Sequence, residues 1–474
     1  MNKLILSSII LLSLNMLIAQ KTKADVLLQL DERSEDFGTV AQTIWEYAEM
    51  GYMEEKSAAL LQKTLANAGF SIKKGVASIP TAFIAEYGSG APVIAVLGEY
   101  DALPGLSQKA VPEKSSAGLA AGHGCGHHLF GTASAAAAIA VKEWMTATNT
   151  QGTIRFYGCP AEEGGSGKVY MVRDGLFKDV DVALHWHPNA KNEANAGAAL
   201  ANKSAKFRFY GISAHAAASP EKGRSALDGV EAMNLMVNMM REHVPEKARI
   251  HYVITQGGKA PNVVPDFAEV YYYARHAKRD VVLEIFDRIE NAAKGAAIGT
   301  GTTMDYELIG GTHELLPNLT IQKLMHDNLT KVNGITYTPE EIVFADKIAK
   351  TMGYDKADQE TAKIIQPYQT EAIPFGSTDV GDVSFTVPTA GMSSATWVPG
   401  TPAHSWQAVA AGGTGIGQKG MMVAAKTLAL TAIDLMADKD LINKAKEEFV
   451  ERRGADFEYI PLLEDRPPAL DYRK

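Results

Sequence analysis

Val93-Ile94-Ala95-Val96-Leu97-Gly98-Glu99-Tyr100-Asp101-Ala102-Leu103-Pro104 runs from five apolar residues into a turn that carries two acids. A short apolar run of this length reads as a strand buried on both faces. Residues 153–157 and 180–184 repeat the pattern. Helix-like segments at 34–47, 56–68 and 134–145 lie around them, the last rich in alanine. Strands alternating with helices predict an α/β domain with a sheet flanked by helices. In such open sheets, ligands bind beyond the carboxyl ends of the strands.

Three further clusters join the first. They are Gly122-His123-Gly124-Cys125-Gly126-His127-His128, Pro160-Ala161-Glu162-Glu163-Gly164-Gly165 and His185-Trp186-His187-Pro188. The second leads into the alanine-rich helix; the others are expected just after a strand. All four are therefore expected to converge on one crevice. A thiolate, imidazoles and carboxylates are the usual ligands of zinc and related ions. The two-residue spacing of Cys125 and His127 would put both on one side of an extended segment. Of the adjacent acids, one can bind metal while its neighbour acts as general base. Each feature alone has a plainer reading. Glu162-Glu163 could be a solvated loop edge, and His185 or His187 could be satisfied by backbone carbonyls. His123 and His128 are assigned no role, and His404 stands alone in the sequence.

From about residue 203 the pattern changes. Residues 205–210 alternate, a helix is predicted at 225–241, and strands at 249–255 and 268–274. This order suggests a small α+β unit inserted at 203–311 into a discontinuous catalytic domain at 27–202 and 312–460. The chain after Lys439, ending in a C-terminal tail at 461–474, is expected to pack on the outside.

The chain has 474 residues, is 46% hydrophobic and carries a net charge of −9. Its length suggests about two to four domains. The acidic balance argues against a nucleic-acid partner. Lys3 followed by the apolar stretch 4–18 reads as a secretory signal peptide over 1–19, and the protein is expected to be exported; an uncleaved anchor is the rival reading. No other segment is read as reaching membrane-spanning length, so no stable membrane span is expected. Cys125 and Cys159 are the only cysteines, so an exported form could hold at most one disulfide. No Gly-x-Ser-x-Gly elbow points to a serine hydrolase.

The combination resembles the dinuclear metal amidohydrolases of the aminoacylase and carboxypeptidase superfamily. It looks like the branch of auxin-conjugate hydrolases, hippurate hydrolases and the aminobenzoyl-glutamate hydrolases of the B type. The motifs 211–217, 260–266 and 376–384 strengthen the likeness, which runs from about residue 32 to 434. The resemblance implies two divalent ions, zinc or manganese, held by Cys125, His127, Glu163, His187 and His404. It implies Glu162 as general base, Asp101 as the acid behind the metals, and His215 as the group polarising the scissile carbonyl. It implies Asn262 and Arg275 as substrate contacts. Glu99 occupies the position where related branches carry a metal-binding histidine. Cys159 replaces a glutamine common in this branch, and a Cys125–Cys159 bond would block the metals. The implied reaction is hydrolysis of the amide in an N-acyl amino acid or aminobenzoyl-glutamate-like substrate by an activated water. A dipeptidase, a deacetylase and an inactive binding homologue are the alternatives. The inserted domain implies a lid and dimerisation role, in a homodimer or a hetero-oligomer with a related subunit.

Overall fold

The computed structural model describes residues 21–194, 199–371 and 376–473. The expected signal peptide lies outside them. Among the described residues a six-stranded sheet carries the order Ser71–Lys74, Phe83–Ser89, Gly152–Cys159, Val93–Glu99, Val182–Asn189, Thr389–Ala395. The first two pairings are antiparallel. Val93–Glu99 pairs in parallel with Gly152–Cys159 and with Val182–Asn189, which in turn pairs in parallel with Thr389–Ala395. The carboxyl ends of these parallel strands point the same way. They create the crevice edge on which the motifs sit.

The helix His127–Thr148 packs across this sheet and is buried along most of its length. Its start lies N-terminal to the sequence-based start at 134. Its N-cap is Gly126 in the left-handed region, φ 78°, where no side chain caps the turn. A Cβ at Gly126 would lie 2.7 Å from Pro188 Cβ, so glycine is required by both conformation and space. Cys125 therefore sits in a turn and His127 in the first helical turn, not on one extended segment. The strand expected at 180–184 is Val182–Asn189, so His185 and His187 lie within it rather than after it.

The helix Gly415–Ala437 corrects a second expectation. By length and composition it could cross a membrane, yet 83% of its apolar window is buried against the helix His127–Thr148 and its neighbours. A largely apolar helix is what a protein core uses when most of its surface is covered, and here Lys419 and Lys426 reach out to pair with Glu341 and Asp31.

Between 201 and 312 the chain forms a separate antiparallel sheet. Its order is Thr303–Thr312, Ala201–Tyr210, Phe267–His276, Arg249–Gln256. The helices Ala226–Met240 and Arg279–Thr300 cover it with their own apolar core, which includes Phe207, Phe209, Val230 and Phe286. The architecture is thus a mixed α/β sheet flanked by helices with an inserted α+β unit.

Candidate metal centre

Five segments meet at the carboxyl edge of the main sheet. Glu99 ends one parallel strand, and Asp101 follows two residues later. Cys125 and His127 come from the turn that starts the long helix. Glu162 and Glu163 follow the strand Gly152–Cys159. His187 projects from near the end of Val182–Asn189. His404 lies in the turn before the helix Trp406–Gly412, with φ at 58°. Its backbone N–H donates to Gly124 O at 2.9 Å, which ties the two loops together. A histidine held in the left-handed region is costly and survives only where its surroundings fix it.

The side-chain donors form three overlapping groups, each with ligand atoms within 4.8 Å of one another: Cys125, His127 and His187; Cys125, Glu163 and His404; Glu99, His127 and Glu162. All five sequence-expected ligands fall in these groups, and so does Glu162. Asp101 stands behind them. His127 Nδ1 donates to Asp101 Oδ1 at 2.7 Å, and the Glu163 backbone N–H donates to Asp101 Oδ2 at 2.9 Å. One carboxylate thus orients a ring and a loop together. His187 Nδ1 donates to the Pro188 carbonyl at 2.7 Å. Its Nε2 lone pair then faces Cys125 Sγ at 3.4 Å.

The donor set fits divalent ions. His127 Nε2, Glu99 Oε2 and Glu163 Oε1 are buried atoms with no hydrogen-bond partner among the described residues. His127 Nε2 lies 3.1 Å from Glu99 Oε2, and His404 Nε2 lies 3.1 Å from Glu163 Oε1. Buried polar atoms are rarely left unpaired, and a cation is one way to satisfy several at once. The electrostatics agree. Burial works against charge on His127, but Asp101 and Glu99 outweigh it and hold its pKa well above the ordinary value. The same negative field favours any cation at Nε2. Burial, then the charge of Glu163, pushes the Cys125 thiol well up. A metal would have to displace that proton, which makes binding pH-dependent. Burial, then Glu99 and Glu163, also raises Glu162 well above the carboxylate range. Burial opposes ionisation of Glu163, yet the neighbouring His404 and His127 hold its pKa below the ordinary value. Two adjacent acids are thereby driven apart, one suited to bind a cation and one to carry a proton.

Several residues outside the expected set belong to this site. Lys168 is fully buried, with Nζ 2.6 Å from Glu99 Oε1 and 2.7 Å from Asp379 Oδ1. Asp379 lies in the 376–384 motif, but Lys168 carries no signal in the sequence. Buried Glu54 accepts the Ala161 N–H at 2.8 Å, and burial followed by Asp101 raises its pKa. The plainer reading holds for His123 and His128, which bond the Ile44 and Gly412 carbonyls. His185 packs under Gly391, and its Nε2 has no hydrogen-bond partner among the described residues. Both cysteines are free thiols, and Cys159 donates to the Tyr157 carbonyl.

His215 and Asn262 are not brought into the cluster. Both are exposed in the inserted unit, and they adjoin each other through Ala216 N–H donating to Asn262 O at 3.0 Å. His215 Nδ1 accepts the N–H groups of Ala217 and Ala218, which leaves Nε2 as the outward, proton-bearing atom. Among the described residues no hydrogen bond or ion pair joins either to the metal ligands. Arg275, on the inserted strand Phe267–His276, is near enough for its charge to be felt at His404. It stacks 5.1 Å over Tyr273, and its Nε has no partner among the described residues. The neighbouring Glu163 carboxylate raises the pKa of His404, and the charge of Arg275 is close enough to oppose that rise.

A dinuclear-type donor cluster on an α/β sheet with an inserted lid-like sheet defines a metallohydrolase architecture, and the comparisons agree. Residues 95–408 match the peptidase family M20/M25/M40. The chain is 43% identical over 458 residues to the B component of p-aminobenzoyl-glutamate hydrolase from Escherichia coli, covering 91% of this chain and 95% of that one. It is 29% identical to the Xaa-Arg dipeptidase of Mus musculus over 441 residues, 89% and 90% of the two chains. A dinuclear metal binding peptidase from Bacillus subtilis shares the fold with a TM-score of 0.56 at 17% identity, covering 86% of this chain and 99% of that one. The chain belongs to the M20/M25/M40 peptidase family, and it is an amidohydrolase of that metallohydrolase class.

Proposed function

We propose that this protein hydrolyses the amide bond of an N-acyl amino acid of the aminobenzoyl-glutamate type. The carrying observation is the convergence of Cys125, His127, Glu163, His187 and His404 with Glu162 at the strand ends. Those five residues would hold two divalent ions, with Asp101 orienting His127 and Glu163. When bound, the ions would polarise the amide carbonyl and acidify a water. Glu162, its pKa already raised by burial and its acidic neighbours, takes that proton and passes it to the leaving amine. Arg275 would pair with the substrate carboxylate, since guanidinium binds it through two parallel bonds. The thiolate of Cys125 favours zinc over manganese on softness grounds.

His215 and Asn262 complete this site only if a second chain supplies them or the inserted unit moves. We favour a second chain. The strand Arg249–Gln256 is an edge of its sheet and exposes Tyr252, Val253 and Ile254, while the adjacent helix exposes Leu235 and Met239. An apolar edge of this kind is where strands pair between molecules. A homodimer satisfies it. The Escherichia coli relative is named as one of the subunits of a hydrolase, which supports a hetero-oligomer as the second reading. The division into a catalytic part at 27–202 and 312–460 and a lid at 203–311, and export after removal of 1–19, belong to this proposal.

Metal analysis of the purified protein with a hydrolysis panel tests it. The panel holds aminobenzoyl-glutamate, hippurate, N-acetyl amino acids and dipeptides, with added zinc or manganese. About two ions per chain and chelator-sensitive cleavage of aminobenzoyl-glutamate are expected. Cleavage of dipeptides alone would replace the substrate class. Absence of bound metal under reducing conditions would overturn the ligand assignment.

A further inference from the structure

The Glu162–Gly165 turn is held in an unusual backbone. Ala161 and Ser166 flank it at φ 56° and 59°, Gly164 has φ 90°, and Glu163 leaves helical geometry at φ −70°, ψ 67°. Non-glycine residues in the left-handed region persist only where neighbours over-determine them. Part of that constraint comes from far along the chain. The Glu163 carbonyl accepts two hydrogen bonds, from Tyr472 Oη at 2.9 Å and from Arg473 Nη2 at 2.6 Å. Tyr472 also packs edge-on against Tyr52, which donates to the Gly165 carbonyl at 2.6 Å. The hydroxyl of Tyr472 occupies space left open by Gly51, where a Cβ would lie 2.3 Å from it.

The same segment is fastened to the inserted sheet before it reaches the turn. Arg466 Nη2 lies 3.1 Å from Glu307 Oε1, and Lys203 Nζ lies 3.0 Å from Glu464 Oε1. Glu307 and Lys203 belong to the strands Thr303–Thr312 and Ala201–Tyr210. Leu462 and Leu463 are buried just ahead of these anchors. The expected tail on the outside is thus a strap that runs from the inserted sheet to the peptide of a proposed metal ligand.

We propose that Tyr472 and Arg473 are positioning residues, and that residues 459–473 hold the Glu162–Gly165 turn in its ligand-presenting shape and tie it to the inserted sheet. Neither residue touches the reacting atoms. They fix the carbonyl of Glu163 from behind while Asp101 fixes its N–H from the other side, so the carboxylate leaves the turn in one direction. Geometry of this kind counts, because a ligand or base displaced by about 1 Å can cost a hundredfold in rate. The inference rests on the proposed metal-site reading for its functional half, but its structural half can be read without metal.

The experiment compares the full chain with Tyr472→Phe, Arg473→Lys and the double variant Tyr472→Phe/Arg473→Ala. Amide hydrogen exchange is measured without metal. The double variant should exchange the amides of Glu163 to Ser166 about tenfold faster or more, while those of Val93–Glu99 keep the parent rate. On zinc-loaded protein, chelator competition should show about tenfold weaker retention, and kcat should fall while KM stays within about twofold. Arg473→Lys keeps a cationic donor and should recover part of each loss. Unchanged exchange in the turn would overturn the strap. Faster exchange with parental zinc retention and kcat would overturn the positioning role. If the double variant fails to fold, Tyr472→Phe, which removes one hydroxyl, carries the same test. If the parent neither retains zinc nor turns over, the metal-site reading has failed, and exchange alone decides the strap.

Discussion

Replacing Lys168 by methionine should cost the protein several kcal/mol, because its ammonium is the counter-charge to two buried acids. Lys168 Nζ lies 2.6 Å from Glu99 and 2.7 Å from Asp379, and none of the three side chains is more than 1% exposed. Burial disfavours the ammonium, but Asp379 and Glu99 overcome it and hold the lysine pKa well above its usual value. Lys168 is therefore charged at any working pH. Removing one partner of a buried pair costs about 3–5 kcal/mol, since the remaining charge is stranded away from water. Methionine keeps most of the apolar stem, so lost packing adds little. The loss corresponds to roughly a hundred- to several-thousandfold in the folding equilibrium. Urea unfolding followed by tryptophan fluorescence is the assay. All five tryptophans, Trp45, Trp144, Trp186, Trp397 and Trp406, lie outside 201–312, so the signal reports the part that holds the site. With a slope of about 3 kcal/mol/M, the midpoint should fall by about 1 M or more. Adding Asp379→Asn should recover part of this by removing a stranded charge. Zinc should raise the midpoint more in Lys168→Met than in the parent, because Glu99 then has greater need of a cation. A midpoint within about 0.2 M of the parent would refute the reasoning, since it would make this pair worth no more than a surface one.

Glu162→Gln should bind metal as the parent does and lose about two to four orders of magnitude in kcat; near-parental turnover would remove Glu162 from the base role. Cys125→Ser exchanges a soft donor for a hard one and should weaken zinc retention at least about tenfold while disturbing manganese less. Equal losses of both ions, measured by chelator competition, would contradict a direct thiolate contact. Val253→Lys places a charge on the exposed sheet edge and should shift the sedimentation profile to monomer and lower turnover together. A stable dimer, or a fully active monomer, would locate His215's partner elsewhere. Asp382 is buried, and burial, despite help from Tyr459 and the His313 N–H, raises its pKa from 3.8 to about 7. A raised acid contributes stability that is full below about pH 4 and lost as pH rises through 7. Between pH 5 and 7 this amounts to about 2 kcal/mol, since the slope of about 1.4 per pH unit falls to half where Asp382 is half-titrated. The parent should therefore lose ground to Asp382→Asn by that amount over the range; parallel urea midpoints across pH would contradict it.

What can be read in the sequence is what local pattern determines. The strand at residue 93, the Cys125–His127 pair and the adjacent acids each carry their signal within a few residues. The rule that ligands bind beyond strand ends in open sheets then predicts their meeting. The start of the long helix escapes such a reading because Gly126 supplies conformation but no capping side chain, so nothing in the sequence marks it. The helix Gly415–Ala437 escapes it because its few polar residues are spread round a mostly buried surface and mark no clear face for a periodicity test. The unread part of the site depends on distance in the chain rather than on pattern. Lys168 meets Asp379 across 211 residues, and Tyr472 meets Glu163 across 309. A lone lysine in a glycine-rich stretch, or a tyrosine near a run of prolines, has no local feature that names its partner. The metal ligands are legible because their chemistry restricts residue type. The groups that aim them can be any donor that folding brings to the right carbonyl or carboxylate. Such residues are found by asking of each ligand what holds it from behind, and at Glu163 the answer on one side is Asp101 and on the other Tyr472 and Arg473.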